Sequence, residues 1–488
     1  MKDSWPKPRP RSWRRTGQRP RNCAIPSAPL RRSWRNSGRK RHGSERRVPH
    51  AEMTYEQAVE HLERALTFGV HPSLEGIRAV TQALGRPQEA YSSVQVTGTN
   101  GKTSVTRLTA ALLSAHGRRT GCYTSPHLQE YRERIEVDGS MVSGGDFAQS
   151  LSAALSAAEG VGVRATEFEL LTATALDAFR AMRTEFAVLE VGMGGRWDAT
   201  SVVMPVVAVI TGVSLDHTAH LGNTVEQIAA DKAHILKQGS VAVLGPGTHG
   251  LDAIFAERAS RTGSPMRAVR AHGTSSPLAE EYTVRFRVLK AASVPGGATE
   301  FRVASSFADY GDLDIAAPAY QAANVATAIA AAESALDGPM DSAAIRRALD
   351  AVRFPARFEV FTGDPLVVVD GSHNPEAARV LAAAIRESFA GAWPRVLLGV
   401  LGDKDARGIV EALSDVAAGF AVCAPDSPRA LAADDLAVVV RDVAGSDPQR
   451  YAGVSDAVEA LVAPGRQPLV ITGSLTTAGQ ARSILLAR

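Results

Sequence analysis

Short apolar runs, each closed by a glycine-bearing polar turn and followed by helical periodicity, recur along most of this 488-residue chain. Val94-Gln95-Val96-Thr97 is one such run; Gly98-Thr99-Asn100-Gly101 closes it, and apolar residues return at helical spacing over 105–113. Residues 186–189 and 205–210 repeat the pattern, with helical stretches at 169–182 and 225–237. Continuously apolar strands separated by helices predict a parallel sheet covered on both faces. Residues 282–289 and 300–304 differ. There apolar and polar positions alternate, which predicts antiparallel strands with one face in water. Ahead of all these, 53–84 has helical spacing, interrupted at Gly69-Val70-His71-Pro72.

After Phe354-Pro355-Ala356-Arg357 the alternation restarts, with strands expected at 366–369, 396–400 and 468–471. The proline-marked break predicts a domain boundary near 353. The chain thus divides into a tail (1–52), a larger domain (53–353) and a smaller α/β domain (354–488).

Composition adds two points. Hydrophobic residues at 45% and charged residues at 22% are ordinary for a globular protein. No apolar run approaches the roughly 18 residues of a membrane span. Cys23, Cys122 and Cys423 are scattered without metal-type spacing, which predicts a reducing compartment, the cytoplasm. The overall charge of +3 hides an asymmetry. Residues 1–52 carry 16 Lys/Arg against 3 Asp/Glu, which leaves 38 basic and 48 acidic residues, a net of −10, for the remainder. That Arg/Pro/Ser-rich tail reads as disordered. Met53-Thr54-Tyr55-Glu56 opens a clean helical pattern, so Met53 is read as the start of the functional chain.

The chemistry concentrates at the carboxyl ends of the expected strands. Gly98-Thr99-Asn100-Gly101-Lys102-Thr103-Ser104 joins a strand to a helix, the context in which backbone N–H groups and a helix N-terminus cradle a polyphosphate. Lys102 would neutralise phosphate charge, and Thr103 or Ser104 would reach a phosphate-bound Mg²⁺. The loop is shorter than the common P-loop, whose leading glycine position is Val96 here. Glu190 closes the run 187–189 and His217 follows 207–210; both are candidate metal ligands. Lys232 lies on the next helical stretch. Asp370 and His373 sit on the strand-to-helix loop of the second domain, facing the cleft between domains. The predicted class is α/β: a P-loop-type parallel-sheet ATPase domain followed by a smaller Rossmann-like α/β domain.

Together these motifs resemble the Mur-ligase superfamily, and within it the folylpolyglutamate synthase/dihydrofolate synthase family. The matching segments include Thr97 to Ser104, Tyr123-Thr124-Ser125-Pro126-His127-Leu128, Glu190-Val191-Gly192-Met193-Gly194-Gly195-Arg196, Leu215-Asp216-His217, Asp370 to Pro375 and Leu401-Gly402-Asp403-Lys404-Asp405. They run in family order from about residue 53 to the C-terminus. The resemblance implies ATP-dependent joining of L-glutamate to dihydropteroate or to a folate through an acyl phosphate. It assigns Gly98 to Ser104, Asn324, Arg357 and Asp370 to ATP, and Ser104, Glu190 and His217 to Mg²⁺, with two metal sites allowed. Ser125, His127, Thr166, Phe168 and Asp198 fall to the pterin, and His373 and Ser474 to glutamate. Lys102, Lys232, His373 and Asp370 are the expected catalytic residues, Lys232 matching a lysine that is carbamylated in family members. The chain departs from the family at Thr103, which replaces a glycine, and at His234, two residues from Lys232.

Only small-molecule substrates, a monomer, no membrane and no nucleic acid are expected for 53–488. Two rival readings remain at this level: a Mur-type ligase acting on a cell-wall precursor, and a nucleotide-switched protein whose basic tail binds nucleic acid. A chain beginning at Met53 is expected to retain full glutamate-dependent ADP release and to show no nucleic-acid affinity. Loss of that activity on removing 1–52 would return a role to the tail.

Overall fold

The computed structural model describes residues 53–66 and 72–488. The basic tail, Cys23 and the break at Gly69-Val70-His71 lie outside the described residues. The expected helical segment 53–84 is two helices, Tyr55–Ala65 and Glu75–Ala83. The first is closed by a capping box in which Thr54 and Gln57 satisfy each other's backbone N–H groups.

Among the described residues an eleven-stranded sheet organises the larger part of the chain. Its strands are β1 (Ser92–Thr97), β2 (Thr120–Tyr123), β3 (Ile135–Val137), β4 (Ser140–Met141), β5 (Phe186–Glu190), β6 (Val207–Gly212), β7 (Val241–Gly247), β8 (Met266–Ala271), β9 (Thr283–Lys290), β10 (Thr299–Ala304) and β11 (Asp309–Ile315). The spatial order is β11-β10-β9-β8-β7-β6-β1-β5-β2-β3-β4. From β9 to β2 every pairing is parallel. Both ends of the sheet are antiparallel.

The apolar strands are buried on both faces, as their sequence predicts. In β5, Val188 joins one core while Ala187 and Leu189 join the opposite one. In β6, Val207 and Val209 face the first core, and Ala208 and Ile210 a third. This is the period-two alternation of a strand with helices on either side. The half-exposed strands β9 and β10 do pair antiparallel. They form no separate unit, because β9 pairs parallel with β8 and so extends the same sheet.

A six-stranded sheet follows, with β12 (Glu359–Phe361), β13 (Val367–Val369), β14 (Arg395–Leu398), β15 (Gly419–Cys423), β16 (Gln449–Tyr451) and β17 (Leu469–Thr472) in the order β12-β13-β17-β14-β15-β16. Apart from the β12–β13 edge its pairings are parallel. Val368 faces one core, and Val367 and Val369 the other. The expected helix 225–237 stops at Lys232 and tightens into a 3₁₀ turn at Ala233–Ile235.

Helix Lys102–Ala115 lies against the sheet and against the alanine-rich helix Gln321–Leu336. Small side chains let these two helices approach closely. Leu108, fully buried in the core they share with the sheet, is expected to cost about 2–5 kcal/mol of stability when replaced by alanine. Chemical denaturation of Leu108→Ala would read that loss as a lower midpoint at unchanged slope.

Candidate active site

Three neighbouring strands of the large sheet, β5, β1 and β6, end side by side. Glu190 terminates β5, Gly98 to Gly101 follows β1, and Val213 to His217 follows β6. In the smaller sheet the neighbours β13, β17 and β14 end in Asp370 to Asn374, Gly473-Ser474 and Gly399 to Lys404. The two sets of carboxyl ends line one cleft of about 570 Å³. Ligands bind at such ends in open α/β sheets.

The loop after β1 needs its glycines. A Cβ on Gly98 would lie 1.9 Å from Thr211 Oγ1, and one on Gly101 2.9 Å from Asn324 Oδ1. Gly101 also takes φ +82°, a left-handed value that lets helix Lys102–Ala115 begin at once with its N-terminus in the cleft. Helices Pro375–Phe389 and Leu475–Leu486 start from Asn374 and Ser474, on the opposite wall. Three helix N-termini thus converge there, each carrying partial positive charge suited to an anion.

Lys102 Nζ curls over its own loop, 3.1 Å from both Gly98 O and Thr99 O. Lys232 Nζ donates to the same Gly98 O at 2.9 Å, although Lys232 is 134 residues away in the chain. Burial lowers the Lys102 pKa, with Glu190 and Asp216 opposing. Burial and the charge of Lys102 bring Lys232 down to about 7, so a substantial share of its amine is neutral near physiological pH. The His234 ring is engaged with its own preceding turn, Nδ1 lying 3.0 Å from Ala230 O.

Glu190 is 1% exposed. It accepts from Thr103 Oγ1 at 2.9 Å and from the Ser125 N–H at 3.1 Å. Burial raises its pKa and Lys102 pulls it back. Ser104, expected beside the metal, lines the cleft and receives a hydrogen bond from Gln321 Nε2 at 3.3 Å. The hydroxyl at Glu190 belongs to Thr103, because consecutive helical residues point about 100° apart. His217 is at the open side of the cleft, where loss of water, with Lys404 and Lys102 nearby, lowers its pKa to about 4 despite Asp216. Its imidazole is neutral at pH 7 and free to coordinate. Among the described residues no three His, Cys, Asp or Glu side chains form a complete metal cage. Mg²⁺ needs few protein ligands, because phosphate oxygens and water complete its shell.

Asp216 joins the lobes. It accepts from Lys404 Nζ at 2.8 Å and Asn374 Nδ2 at 3.3 Å, and lies 3.5 Å from His373 Nε2. Burial alone would raise its pKa, but the hydrogen bonds from His373 and Lys404 prevail and hold it well below the carboxylate range. Asn100, in the phosphate loop, donates to Glu376 Oε2 at 2.5 Å and accepts from Asn374 at 3.2 Å. Asp216 and Lys404 escaped assignment by sequence because their significance lies in a contact across 188 residues.

Asn324, Arg357, Ser125, His373 and Ser474 line the cleft. Asp370 lines it too, but protein donors occupy both of its oxygens. Phe358 N–H binds one, and Ser372 N–H and Oγ bind the other. Its carboxylate therefore orders this loop while lining the cleft. Ser474 similarly caps its helix through Thr477 N–H. Of the expected pterin residues, Phe168 and Asp198 gather at Gly192, where a Cβ would meet Phe168 Cζ at 2.7 Å and Asp198 Oδ2 at 3.3 Å. Asp198 also caps the turn at Thr200, and Thr166 caps helix Glu167–Ala181. His127 accepts from Arg134 Nε at 2.9 Å, and burial together with that arginine lowers its pKa to about 4.

Residues 96–265 match the Mur ligase middle domain, and 356–475 match the Mur ligase, glutamate ligase domain. The chain is 34% identical over 461 residues to the dihydrofolate synthase/folylpolyglutamate synthase of Mycobacterium tuberculosis, covering 87% of this chain and 93% of that protein. It is similar to the M. tuberculosis folylpolyglutamate synthase solved with ADP, at a TM-score of 0.80, 33% identity and coverage of 88% and 98%. The bifunctional folylpolyglutamate synthase/dihydrofolate synthase of Yersinia pestis, solved with AMPPNP and a Mn ion, matches at a TM-score of 0.75 and 27% identity, covering 90% of this chain and all of that one.

The folded protein disfavours a charged Lys232, whereas the unfolded chain protonates it with a pKa near 10.4. The resulting penalty is full below about pH 7 and is relieved as pH rises from there toward 10. Unfolding measurements at successive pH values should therefore show Lys232→Met exceeding the unaltered protein in stability at pH 6.5, with the gap narrowing toward pH 10. A constant gap would mean that Lys232 is charged in the fold.

Proposed function

This chain belongs to the folylpolyglutamate synthase/dihydrofolate synthase family of Mur-type ligases, and we propose that its cleft joins L-glutamate to dihydropteroate, to the γ-carboxylate of a reduced folate, or to both. The protein is an ATP-dependent acid–amino-acid ligase. The observation that carries the substrate geometry is the meeting of two sets of strand ends. Lys102, Glu190 and one helix N-terminus stand on one wall, and His373 and two helix N-termini on the other.

ATP would lie with its phosphates against the N–H groups of 98–104 and its base end toward Asn324 and Arg357. Glu190, His217 and the hydroxyl of Ser104 or Thr103 would hold Mg²⁺, which would supply charge neutralisation. Glu190 suits this task because burial leaves its carboxylate needing a cation. Phosphoryl transfer demands mainly positioning and charge compensation. The acceptor carboxylate attacks the γ-phosphorus, giving an acyl phosphate and ADP, with Lys102 opposing the negative charge on the transferred group. The amine of L-glutamate then attacks the activated carbonyl and phosphate departs. His373 Nδ1 is held by Gly371 O at 3.0 Å, which turns Nε2 toward the cleft and Asp216. Nε2 stands as a donor toward Asp216 and would help orient the incoming glutamate, while the proton that the amine loses would pass to the departing phosphate.

A carbamate on Lys232 would require its neutral amine, which the lowered pKa supplies. Phe168, Asp198 and the Ser125–Pro126 turn form the proposed wall for the pterin. The Asp216–Lys404 and Asn100–Glu376 contacts close the lobes, keeping water from the acyl phosphate. Every group in this scheme comes from one polypeptide, so a monomer suffices.

Lys102→Ala is expected to lower glutamate- and pterin-dependent ADP release by about 100-fold or more while leaving the melting temperature within a few degrees. A coupled ADP assay checks it. An unaltered rate, or ADP release that ignores glutamate and pterin, would refute the assignment.

A further inference from the structure

Between helix Ser342–Ala351 and β12 the chain bends at two residues in the left-handed region, Ala356 at φ +51° and Phe358 at φ +53°. Residues with a side chain resist that region, so the surroundings must hold them there. Two carboxylates do so. Ala356 N–H donates to Glu359 Oε2 at 2.8 Å, and Phe358 N–H donates to Asp370 Oδ2 at 2.8 Å. Arg357, between them, lies across Gly371, where a Cβ would come within 2.5 Å of its Nη1, and it lines the main cleft. The direction of the Arg357 side chain is therefore set by the bend on either side of it.

Glu359 is gripped in turn from the far end of the chain. Arg482, on helix Leu475–Leu486, donates Nε to Glu359 Oε1 at 3.0 Å and Oε2 at 2.9 Å, and Nη1 to Gln129 Oε1 at 3.0 Å. Gln129 Nε2 donates to Ser483 Oγ at 2.8 Å on the same helix. Gln129 belongs to the loop after β2, and that loop rests on the helix: a Cβ on Gly479 would come within 2.5 Å of Leu128 O. Glu133 stiffens the loop by accepting from the Leu128 and Gln129 N–H groups at 2.8 and 3.0 Å. At its other end Ser125 N–H reaches Glu190 Oε2 at 3.1 Å. One guanidinium thus ties the bend that carries Arg357 to the loop that reaches Glu190. A pair that only fastened β12 to the last helix would leave Gln129 out. The Arg482 and Glu359 side chains are 18% and 22% exposed, enough shielding for the pair to keep its geometry.

We propose that Arg482 and Gln129 are positioning residues for the reaction, an inference that rests on the ligase reading above. Arg482, through Glu359, fixes Arg357 for the nucleotide, and Gln129 fixes the loop that brings Ser125 to Glu190. The planar fork of arginine serves both partners at once, which an ammonium does not.

Steady-state kinetics of the full chain with ATP, L-glutamate and dihydropteroate tests this, together with calorimetric titration of ADP in the presence of Mg²⁺. Arg482→Met, which keeps the stem and loses both ties, is expected to raise KM for ATP and Kd for ADP about tenfold and to lower kcat about tenfold. Arg482→Lys keeps a cation for Glu359 but not the fork, so it should bring the ADP Kd back to within about threefold without restoring kcat. Gln129→Ala should lower kcat about fivefold with the ADP Kd within about twofold, and the dihydropteroate KM should stay within about twofold throughout. Should Arg482→Met fail to fold, Glu359→Gln, which keeps an oxygen for Ala356 N–H, should raise the ADP Kd about threefold, and an unaltered Kd there would overturn the assignment. An unaltered ADP Kd in folded Arg482→Met would overturn it too, as would kcat losses that only follow the folded fraction. A change confined to the dihydropteroate KM would also overturn it, making these residues acceptor contacts. Failure of the unaltered protein to turn over any pterin acceptor overturns the ligase reading itself; normal turnover with an ADP Kd indifferent to Arg482 overturns only the positioning role.

Discussion

The close approach of Gly98 to Thr211 is the constraint on which the site depends. With no side chain at Gly98, the loop after β1 lies directly on the end of β6, and its carbonyl can receive both Lys102 and Lys232. Any Cβ there would push the loop off β6, separating the two lysines from Glu190 and turning the start of helix Lys102–Ala115. The parallel sheet beneath makes that precision affordable, since β5, β1 and β6 are buried on both faces and their ends are held in register.

A second consequence follows from where the sheets point. Parallel strands deliver all their carboxyl-end loops to one edge, and here two such edges oppose each other. Beside the cleft, Leu128 and Tyr320 pack against the cores of the smaller domain and Gln129 bonds Ser483 and Arg482. Across the cleft the contacts are polar, Asp216 with Lys404, His373 and Asn374, and Asn100 with Asn374 and Glu376. A polar interface of this type can open for substrates and close over a labile intermediate, which an apolar core interface resists. Asp216 is central to it, because its ionised form is favoured by partners from the opposite lobe.

Much of this was legible in the sequence, for a physical reason. Buried parallel strands are short continuous apolar runs, and the polar residues closing them mark the functional edge; hence Lys102, Glu190, His217 and His373 could be singled out and do line one cleft. Four kinds of feature were not legible. Pairing partners across the chain, such as Asp216 with Lys404 or β8 with β9, leave no local trace. Adjacent hydroxyls such as Thr103 and Ser104 are told apart only by helical phase, which the structure fixes. Asp, Ser and Thr at loop-to-helix junctions serve equally as caps and as ligands, so Asp198, Thr166 and Ser474 read as binding residues while also satisfying backbone N–H groups. Helix Gln321–Leu336, buried along most of its length, also lacks the one-sided stripe that marks a surface helix.

A crystal structure of active protein with Mg²⁺ and a nonhydrolysable ATP analogue measures the central relation directly. The β- and γ-phosphates should lie on the N–H groups of Gly98 to Ser104, with Lys102 Nζ swung from Gly98 O to the γ-phosphate and the metal on Glu190. Phosphates bound elsewhere, or this loop still closed over Lys102 in nucleotide-saturated active crystals, would contradict it.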